Sequence, residues 1–402
     1  MKSSKWLRLV AVAGALALVM AACGDDEGGT TAGGGDDEPK DCTWVIGTMG
    51  ALSGDFASLG APISEGVEYA VQQANDSGEL ACELELQKED SQGSPDQAPQ
   101  LAQSLVENEN LVGVAGPYFS GETLATGDIF TDAGVAFSGT GTNETIDEQD
   151  FETWFRAVAP DNIQAEVAAD YIEGALGGGK VTVIHDNQDY SKGLAEGVEK
   201  NLSGSEVQGP LVINPEESDY SAVVAQVSGF GPDVVYYGGY TPQAGPLLQQ
   251  LNDAGVEALF LSDDGAKDPS FGGLAGSAAQ GAQVTCPCTD PFKQESAQAF
   301  VDGMRETYGE NAPGTFAADM FDVTNVMIEA LKGLSGDESI DEVRAAVVEQ
   351  FDTADGYQGV AKAYTWEDSG EFQGGPDDIW IYEWSDEEDN FVSLGSAGEL
   401  VN

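Results

Sequence analysis

Basic side chains are scarce in this sequence. Its 402 residues contain 15 lysines and arginines and a single histidine, against 71 acidic residues. The resulting formal net charge of -56 repels phosphate, which excludes nucleic acid and anionic membrane surfaces as partners. No apolar segment after the first 22 residues is long enough to cross a bilayer. With 41% apolar residues, the chain is long enough for two domains, each with its own interior.

The first 22 residues have the features of an export signal. Three basic residues precede a short apolar run at positions 9–20, which is too short to span a membrane. The run ends in Ala-Ala-Cys23, which resembles a bacterial lipobox. This resemblance implies that the signal at 1–22 is removed and that Cys23 becomes the lipidated N-terminus. The alternative is an ordinary secretory signal with a cysteine there by chance.

Residues 23–41 are rich in glycine and acidic side chains and contain no large apolar side chain. Such a segment buries too little apolar surface to become ordered, so we expect a flexible tether. With a lipid on Cys23, the tether would hold the protein on the outer face of a bacterial cell membrane without inserting it.

The remaining four cysteines would lie outside the cytoplasm, where disulfides persist. Cys42 and Cys82 each precede a strand-like segment, and a bridge between them is natural if those strands are parallel neighbours. Cys286 and Cys288 are separated by one residue. We favour a local disulfide there over a metal site, because no histidine is nearby.

From residue 43 onward, short β-branched runs alternate with amphipathic stretches, which predicts a doubly wound α/β architecture with mainly parallel sheets. The expected strands are 44–49, 83–89, 111–116, 135–138, 180–185, 207–213, 233–238, 258–262 and 281–285, with late strands near 360–366 and 379–384. Helices are expected at 294–308, 315–334 and 339–350.

This pattern divides into two similar halves followed by returning segments, which indicates two lobes joined by crossing segments. Lobe I is expected to comprise 42–158 and 287–362, and lobe II 159–286 and 363–402. Because ligands of open α/β sheets bind beyond the carboxyl ends of the strands, we expect a ligand in the cleft between the lobes.

Three motifs resemble parts of catalytic or cofactor-binding sites, but none has the complete pattern of such a site. His185 has no serine or cysteine nucleophile arranged around it. The stretch Gly174–Lys180 resembles the start of a phosphate loop, but it precedes a strand, and Val181 replaces the required Ser or Thr. The acidic run Asp386–Asp389 lacks the spacing of a calcium loop. We therefore expect neither an enzyme nor a bound cofactor or metal.

Three stretches instead resemble a known family: Gly50–Gly54 with Gly60, Val183–Asp186 with Tyr190, and Val235–Tyr240. They are similar to the leucine/isoleucine/valine-binding proteins, the type I periplasmic substrate-binding components of ABC importers. The resemblance covers about residues 43–385. It implies the type I periplasmic-binding-protein fold, a monomer, a small amino acid ligand and an ABC permease as partner.

The resemblance also implies which residues hold the polar ends of such a ligand. Ser120 and Thr142 would bind the carboxylate, and the carbonyl of Thr140 would accept from the ammonium group. Asp264 stands where the family usually has a glutamate that pairs with the ammonium, with Asp263 as the neighbouring alternative. The simpler interpretations are a helix cap for Ser120 and turn residues for the two threonines.

Four further positions are implied to surround the rest of the ligand. Tyr190, Tyr240 and Phe316 match aromatic residues that close over it, and Leu59 replaces the usual aromatic beside the side-chain pocket. All three aromatics also suit plain core positions. At the level of function, the alternatives are a sensor with the same fold, a binding protein for an amide or urea, and a tethered hydrolase, which the missing nucleophile disfavours.

Overall fold

The structure is a computed structural model that describes residues 42–401. The predicted signal, the tether and the lipidation site Cys23 lie outside the described residues. Within 42–401, no helix combines the length and apolar character needed to cross a membrane.

Strands and helices alternate along the chain. The strands are β1 (Thr43–Gly50), β2 (Glu83–Asp90), β3 (Leu111–Ala115), β4 (Ala136–Gly139), β5 (Trp154–Arg156), β6 (Lys180–His185), β7 (Glu206–Val212), β8 (Val234–Gly238), β9 (Leu259–Ser262), β10 (Gln283–Cys286), β11 (Asp355–Gln358), β12 (Ala363–Thr365), β13 (Trp380–Ser385) and β14 (Asn390–Ser396). The α-helices are α1 (Ala57–Ser77), α2 (Ala98–Val106), α3 (Ser120–Asp132), α4 (Asp161–Gly174), α5 (Asp189–Asn201), α6 (Ser221–Phe230), α7 (Thr241–Asp253), α8 (Phe271–Ala275), α9 (Gln298–Tyr308), α10 (Ala317–Lys332), α11 (Ile340–Asp352) and α12 (Ala397–Leu400).

Two main sheets form the centres of the two lobes. The sheet of lobe I has the order β2-β1-β3-β4-β5, and all of its strand pairs are parallel. The sheet of lobe II has the order β14-β13-β10-β9-β8-β6-β7, in which β6 to β10 are parallel and the last two strands antiparallel. The parallel strands of both sheets thus follow the same doubly wound order, as the two similar halves of the sequence predict.

Later segments of the chain return to both lobes. Helices α10 and α11 pack on lobe I, against α1 and β3, whereas β13 and β14 extend the sheet of lobe II. The exact residues at which the chain changes lobe stay a prediction. At the end of β5, the fully buried Arg156 forms an ion pair with Glu371, with 2.6 Å between Nη2 and Oε1.

Three strands, β5, β11 and β14, were not predicted from the sequence. Strand β5 has only three residues, too few to show a hydrophobic period. Strand β14 lies at the edge of its sheet and exposes Val392 and Leu394, so its apolar residues occur on both faces. The predicted late strands match β12 and β13 closely.

Strand register explains the disulfide between Cys42 and Cys82. Thr43 of β1 pairs with Glu83 of β2, so the two cysteines lie side by side immediately before paired residues, with their Cα atoms 4.9 Å apart. The structure also joins Cys286 to Cys288 at the end of β10.

Candidate functional site: a cavity between the lobes

A small cavity lies between the two lobes, with about 270 Å³ of space not filled by protein atoms, part of it open to solvent. Eleven residues line it: Leu59, Ile63, Tyr118, Phe119, Ser120, Thr140, Thr142, Tyr190, Tyr240, Asp264 and Phe316. The structure therefore brings together all eight ligand-binding positions implied by the sequence.

Most of these residues follow the carboxyl ends of parallel strands. In lobe I, the segments after β3 and β4 carry Ser120 and Thr142. In lobe II, the segments after β6, β8 and β9 carry Tyr190, Tyr240 and Asp264. Since parallel strands end at one edge of a sheet, these loops converge at the cleft although they are far apart in sequence.

Ser120 is the first residue of α3, but it is not the side chain that caps this helix. The capping acceptor is Glu122, whose carboxylate accepts from the backbone N–H of Phe119 at 3.3 Å. The hydroxyl oxygen of Ser120 accepts instead from the N–H groups of Thr142 and Asn143, at 3.2 and 3.1 Å. Among residues 42–401 no acceptor is found for the hydroxyl proton of Ser120, so this proton is available to a ligand.

The side chain of Thr140 is used to hold the wall of lobe I together. Its hydroxyl donates to the carbonyl of Tyr118 at 2.7 Å, and the phenol of Tyr118 bonds Thr48 at 2.5 Å. Tyr118 and Phe119 also line the cavity. They were not predicted, although they directly precede Ser120 in the sequence. Ile63 was also missed, and its position four residues after Leu59 on α1 could have indicated it.

The wall of lobe II is centred on the carboxylate of Asp264. Its Oδ1 atom accepts from the phenol of Tyr190 at 2.9 Å and from the side-chain amide of Gln164 at 2.8 Å. No side chain of the described residues donates to its Oδ2 atom. The two side-chain donors therefore hold one carboxylate oxygen and leave the other without a side-chain partner.

Burial controls the ionisation of Asp264 and Tyr190 in this wall. Loss of water around Asp264 raises the pKa of its carboxyl to about 6, and the donors Gln164 and Tyr190 act in the opposite direction. Burial also raises the pKa of the Tyr190 phenol well above its usual value, assisted by Asp263 and Asp264. Tyr190 thus keeps its proton and acts as a donor.

Asp263, the alternative to Asp264, has a different environment. Its Oδ2 atom accepts from the backbone N–H of Gly239 at 2.9 Å, and the residue does not line the cavity. Burial and the neighbouring Asp264 raise the pKa of Asp263 well above its ordinary value. The geometry therefore favours Asp264 as the residue that faces a ligand.

Gly265 allows the aromatic rings to pack closely beside Asp264. A Cβ atom at this position would lie 2.6 Å from the carbonyl oxygen of Gly239 and 2.9 and 3.0 Å from the rings of Tyr190 and Tyr240. A larger residue would therefore displace one of the two tyrosines.

The two lobes are in contact across the cleft. The ring of Tyr240 in lobe II lies 5.2 Å from that of Phe56 and 5.5 Å from that of Phe119 in lobe I, between ring centroids. The side-chain amide of Asn143 donates to the backbone carbonyl of Asp189 at 2.7 Å. These contacts describe a closed arrangement in which the residues lining the cavity are buried.

The motifs set aside in the sequence have structural roles. His185 ends β6, and its Nδ1 atom accepts from the backbone N–H of Asn187 at 2.9 Å. Gly177, Gly178 and Gly179 form the turn between α4 and β6. Within residues 42–401, no group of three or more His, Cys, Asp or Glu side chains is arranged to hold a metal ion.

Comparison with known proteins identifies relatives of this chain. The model of the periplasmic binding protein family matches residues 43–389. The chain is 34% identical over 236 residues to an amino acid binding protein of Pseudomonas aeruginosa, a match covering 58% of this chain and 63% of that one. It is 32% identical over 265 residues to Leu/Ile/Val-binding protein homolog 2 of Brucella abortus, covering 64% of this chain and 71% of that one.

Solved structures show the same fold at lower sequence identity. The leucine-binding protein LivK of Thermotoga maritima superimposes with a TM-score of 0.79 at 22% identity, covering 88% of this chain and 98% of that one. LivJ of Streptococcus pneumoniae, solved with isoleucine, gives 0.76 at 22% identity, covering 88% and 100%. A Rhodopseudomonas palustris solute-binding protein with benzoate gives 0.76 at 18% identity, covering 89% and 96%.

These matches establish the fold as type I periplasmic-binding-protein, with two parallel-sheet lobes. Membership in this family also places the protein outside the cytoplasm. The chain belongs to the periplasmic binding protein family, in its group of Leu/Ile/Val-binding proteins.

Proposed function

We propose that the protein captures a small amino acid, most suitably a branched-chain one, in the cavity between its lobes and delivers it to an ABC permease. It acts by binding and release, without chemical change of the solute. The relatives named for binding Leu, Ile and Val support this assignment.

One observation carries the proposal: the cavity offers a proton donor from one lobe and a carboxylate from the other. The Ser120 hydroxyl suits the carboxylate of an amino acid, and it lies at the N-terminus of α3, where the helix dipole favours an anion. Asp264 suits the ammonium group. Leu59, Ile63 and Phe316 supply apolar surface for an aliphatic side chain.

The mechanism follows from the position of these groups on separate lobes. A zwitterion bound to one lobe would attract the other, and closure would bury it beneath Tyr190 and Tyr240. The aromatic contacts between Tyr240 and the rings of Phe56 and Phe119 would then stabilise the closed form. Docking of the closed form on a permease would start release.

Isothermal titration calorimetry of the purified protein tests the choice of ligand. We expect L-leucine, L-isoleucine or L-valine to bind with a binding free energy of about -8 kcal/mol, which corresponds to micromolar affinity. Acetamide, urea and benzoate should bind at least tenfold more weakly than the preferred amino acid, because none presents an ammonium to Asp264. Binding of one of these three, without binding of any amino acid, would contradict the amino acid assignment.

We also propose that the protein is a monomer, anchored through a lipid on Cys23. Expression of the full chain in a bacterial host should place it in the membrane fraction, and Cys23→Ser should release it in soluble form. An unchanged distribution of the Cys23→Ser protein would contradict the anchor.

A further inference from the structure

The side chain of Gln164 is buried directly behind the wall of lobe II. It extends from α4, one turn after the start of the helix, and is completely shielded from solvent. Its amide nitrogen lies 2.8 Å from Oδ1 of Asp264, and also 3.0 and 3.2 Å from the hydroxyl and carbonyl oxygens of Thr285. Gln164 does not line the cavity itself.

These distances define which end of the amide faces Asp264. One N–H of the amide donates to Asp264 and the other is shared between the two oxygens of Thr285. In the reversed orientation, the amide oxygen would face the carboxylate oxygen of Asp264 and the carbonyl oxygen of Thr285, and only the Thr285 hydroxyl could donate to it. The present orientation leaves the Oε1 atom of Gln164 buried without a hydrogen-bond partner within residues 42–401. In this orientation Gln164 donates to the carboxylate of Asp264, while its own carbonyl oxygen accepts no hydrogen bond from the described residues.

Together with Tyr190, Gln164 fully occupies one oxygen of Asp264. Both donors approach Oδ1, at 2.8 and 2.9 Å, so the carboxyl plane is fixed and Oδ2 remains for the cavity. Aspartate is one methylene shorter than the glutamate implied by the family resemblance. The buried amide behind it restricts the orientation of this shorter carboxylate at the cavity wall.

We infer that Gln164 is a positioning residue for ligand binding: it aims the Asp264 carboxylate at the ammonium of the solute and keeps it ionised. This inference rests on the function proposed above, because it requires a ligand that carries an ammonium group.

Other titratable groups lie near Asp264 and set the electrostatic background against which Gln164 acts. Asp263 precedes it in the same loop, and Asp161 approaches from the start of α4. Lys267 follows in the same segment and is the nearby cation. With two carboxyls and one amine around it, Asp264 receives little net help from charges in staying ionised. Hydrogen-bond donors therefore matter more here than at an exposed carboxylate.

The test uses Gln164→Leu, which keeps the volume and removes both N–H donors, and two ligands that differ by one group. L-leucine has the ammonium, and 4-methylpentanoate is the same molecule without it. We expect the affinity for leucine to fall by roughly 10- to 100-fold, the loss typical of a hydrogen bond to a charged group. The affinity for 4-methylpentanoate, measured by the same calorimetry, should change by less than about twofold, a difference within the scatter of such substitutions.

The pH dependence of leucine affinity separates a positioning role of Gln164 from a purely structural one, because loss of packing alone would not shift it. Gln164 donates to the ionised form of Asp264, so its removal raises the pKa of that carboxyl. The pH below which leucine affinity declines should therefore be higher in Gln164→Leu than in the unmodified protein. The matched control is Gln243→Leu in α7, whose amide donates to the carbonyl of Pro215 at 3.1 Å and does not line the cavity. It should leave both affinities and the pH profile unchanged.

A second variant covers the case in which Gln164→Leu does not fold. Thr285→Val removes the hydroxyl that helps to hold the amide, and it should shift the pH profile in the same direction by a smaller amount.

Unchanged leucine affinity in Gln164→Leu, or an equal loss for both ligands, would overturn the inference while leaving the proposed function intact. If the unmodified protein binds no amino acid, the proposed function fails first and the inference fails with it.

Discussion

Lobe I contributes hydroxyl groups to the cavity, whereas lobe II contributes a carboxylate. Ser120 of lobe I is held by two backbone N–H groups, which leaves its proton available. Asp264 of lobe II is held by two side-chain donors, which leaves one oxygen available. In lobe I the protein bonds the oxygen of Ser120 and leaves its proton for a ligand. In lobe II it bonds one oxygen of Asp264 and leaves the other.

Neither lobe alone offers partners for both charged groups of a zwitterion. A ligand with only an anionic group can use lobe I but faces the charge of Asp264, and a ligand with only a cationic group lacks a partner in lobe I. Selectivity for both groups together therefore requires that the lobes close. Variants of the two walls should accordingly affect different ligands.

The largest effect is expected for Asp264→Asn. It leaves the ligand ammonium buried without its counter-ion, so leucine affinity should fall by about 3–5 kcal/mol. Affinity for 4-methylpentanoate should be unchanged or higher, because the repulsion between two carboxylates is removed. Calorimetry with both ligands measures this, and Asp253→Asn at an exposed position of lobe II is the control. Equal losses for the two ligands would contradict the division of roles.

The next largest effect is expected from the two disulfides, which should differ in how much each stabilises the protein. Cys42 and Cys82 of lobe I are 40 residues apart in sequence, whereas Cys286 and Cys288 are two apart. Because stabilisation grows with the length of the closed loop, replacing Cys42 and Cys82 by alanine should lower the free energy of unfolding by about 3–4 kcal/mol. The same change at 286 and 288 should cost much less. Urea unfolding measures both, and equal losses would show that loop length does not decide.

A moderate effect is expected for Ser120→Ala. It removes the donor to the ligand carboxylate and the acceptor of two backbone N–H groups, so affinity should fall by about 1–2 kcal/mol. In contrast to Asp264→Asn, the loss should be similar for leucine and 4-methylpentanoate, since both carry the carboxylate. Ser104→Ala, at an exposed site of lobe I, is the control. A loss confined to leucine would place Ser120 at the wrong end of the ligand.

The smallest effect is expected from pH. Burial raises the pKa of Asp264 to about 6, and only its ionised form pairs with an ammonium. Leucine affinity should therefore be constant above that pH and fall by up to tenfold, about 1.4 kcal/mol, for each unit below it. Binding of 4-methylpentanoate should not decline over this range. Affinity for leucine that stays constant down to pH 5 would contradict ionisation of Asp264 as the requirement.

The ligand-free protein should respond to pH in the opposite direction. A carboxyl with a raised pKa in the folded state binds more protons folded than unfolded, so stability decreases as pH rises through this range. The pKa values of the buried Glu122 and Asp322, each raised to about 7, act with the same sign. Thermal melts should show a higher melting temperature at pH 5 than at pH 7 without leucine, and a larger increase on adding leucine at pH 7.

Much of the fold could be predicted because its signals are local. The central strands of both sheets are short apolar runs, and the helices show their buried faces in the spacing of apolar residues. The bridge between Cys42 and Cys82 could also be anticipated, since it depends only on β1 and β2 being parallel neighbours. Strand β5 could not, because three residues carry no period.

The eight ligand-binding positions came from the family resemblance, and all of them line one cavity. Their roles in binding stay a prediction. Sequence alone left Asp263 and Asp264 as alternatives, and only the direction of the two side chains separates them: one bonds Gly239, and the other faces the cavity.

By itself, the sequence determined that this is an acidic α/β protein with two similar halves and a small set of polar groups at strand ends. Only the tertiary structure decided which buried side chains form hydrogen bonds to those groups. Gln164 lies 100 residues from Asp264, in a helix with no motif, and is linked to it by a single hydrogen bond. Local patterns record which face of an element is buried, whereas a contact between distant side chains depends on how whole elements pack.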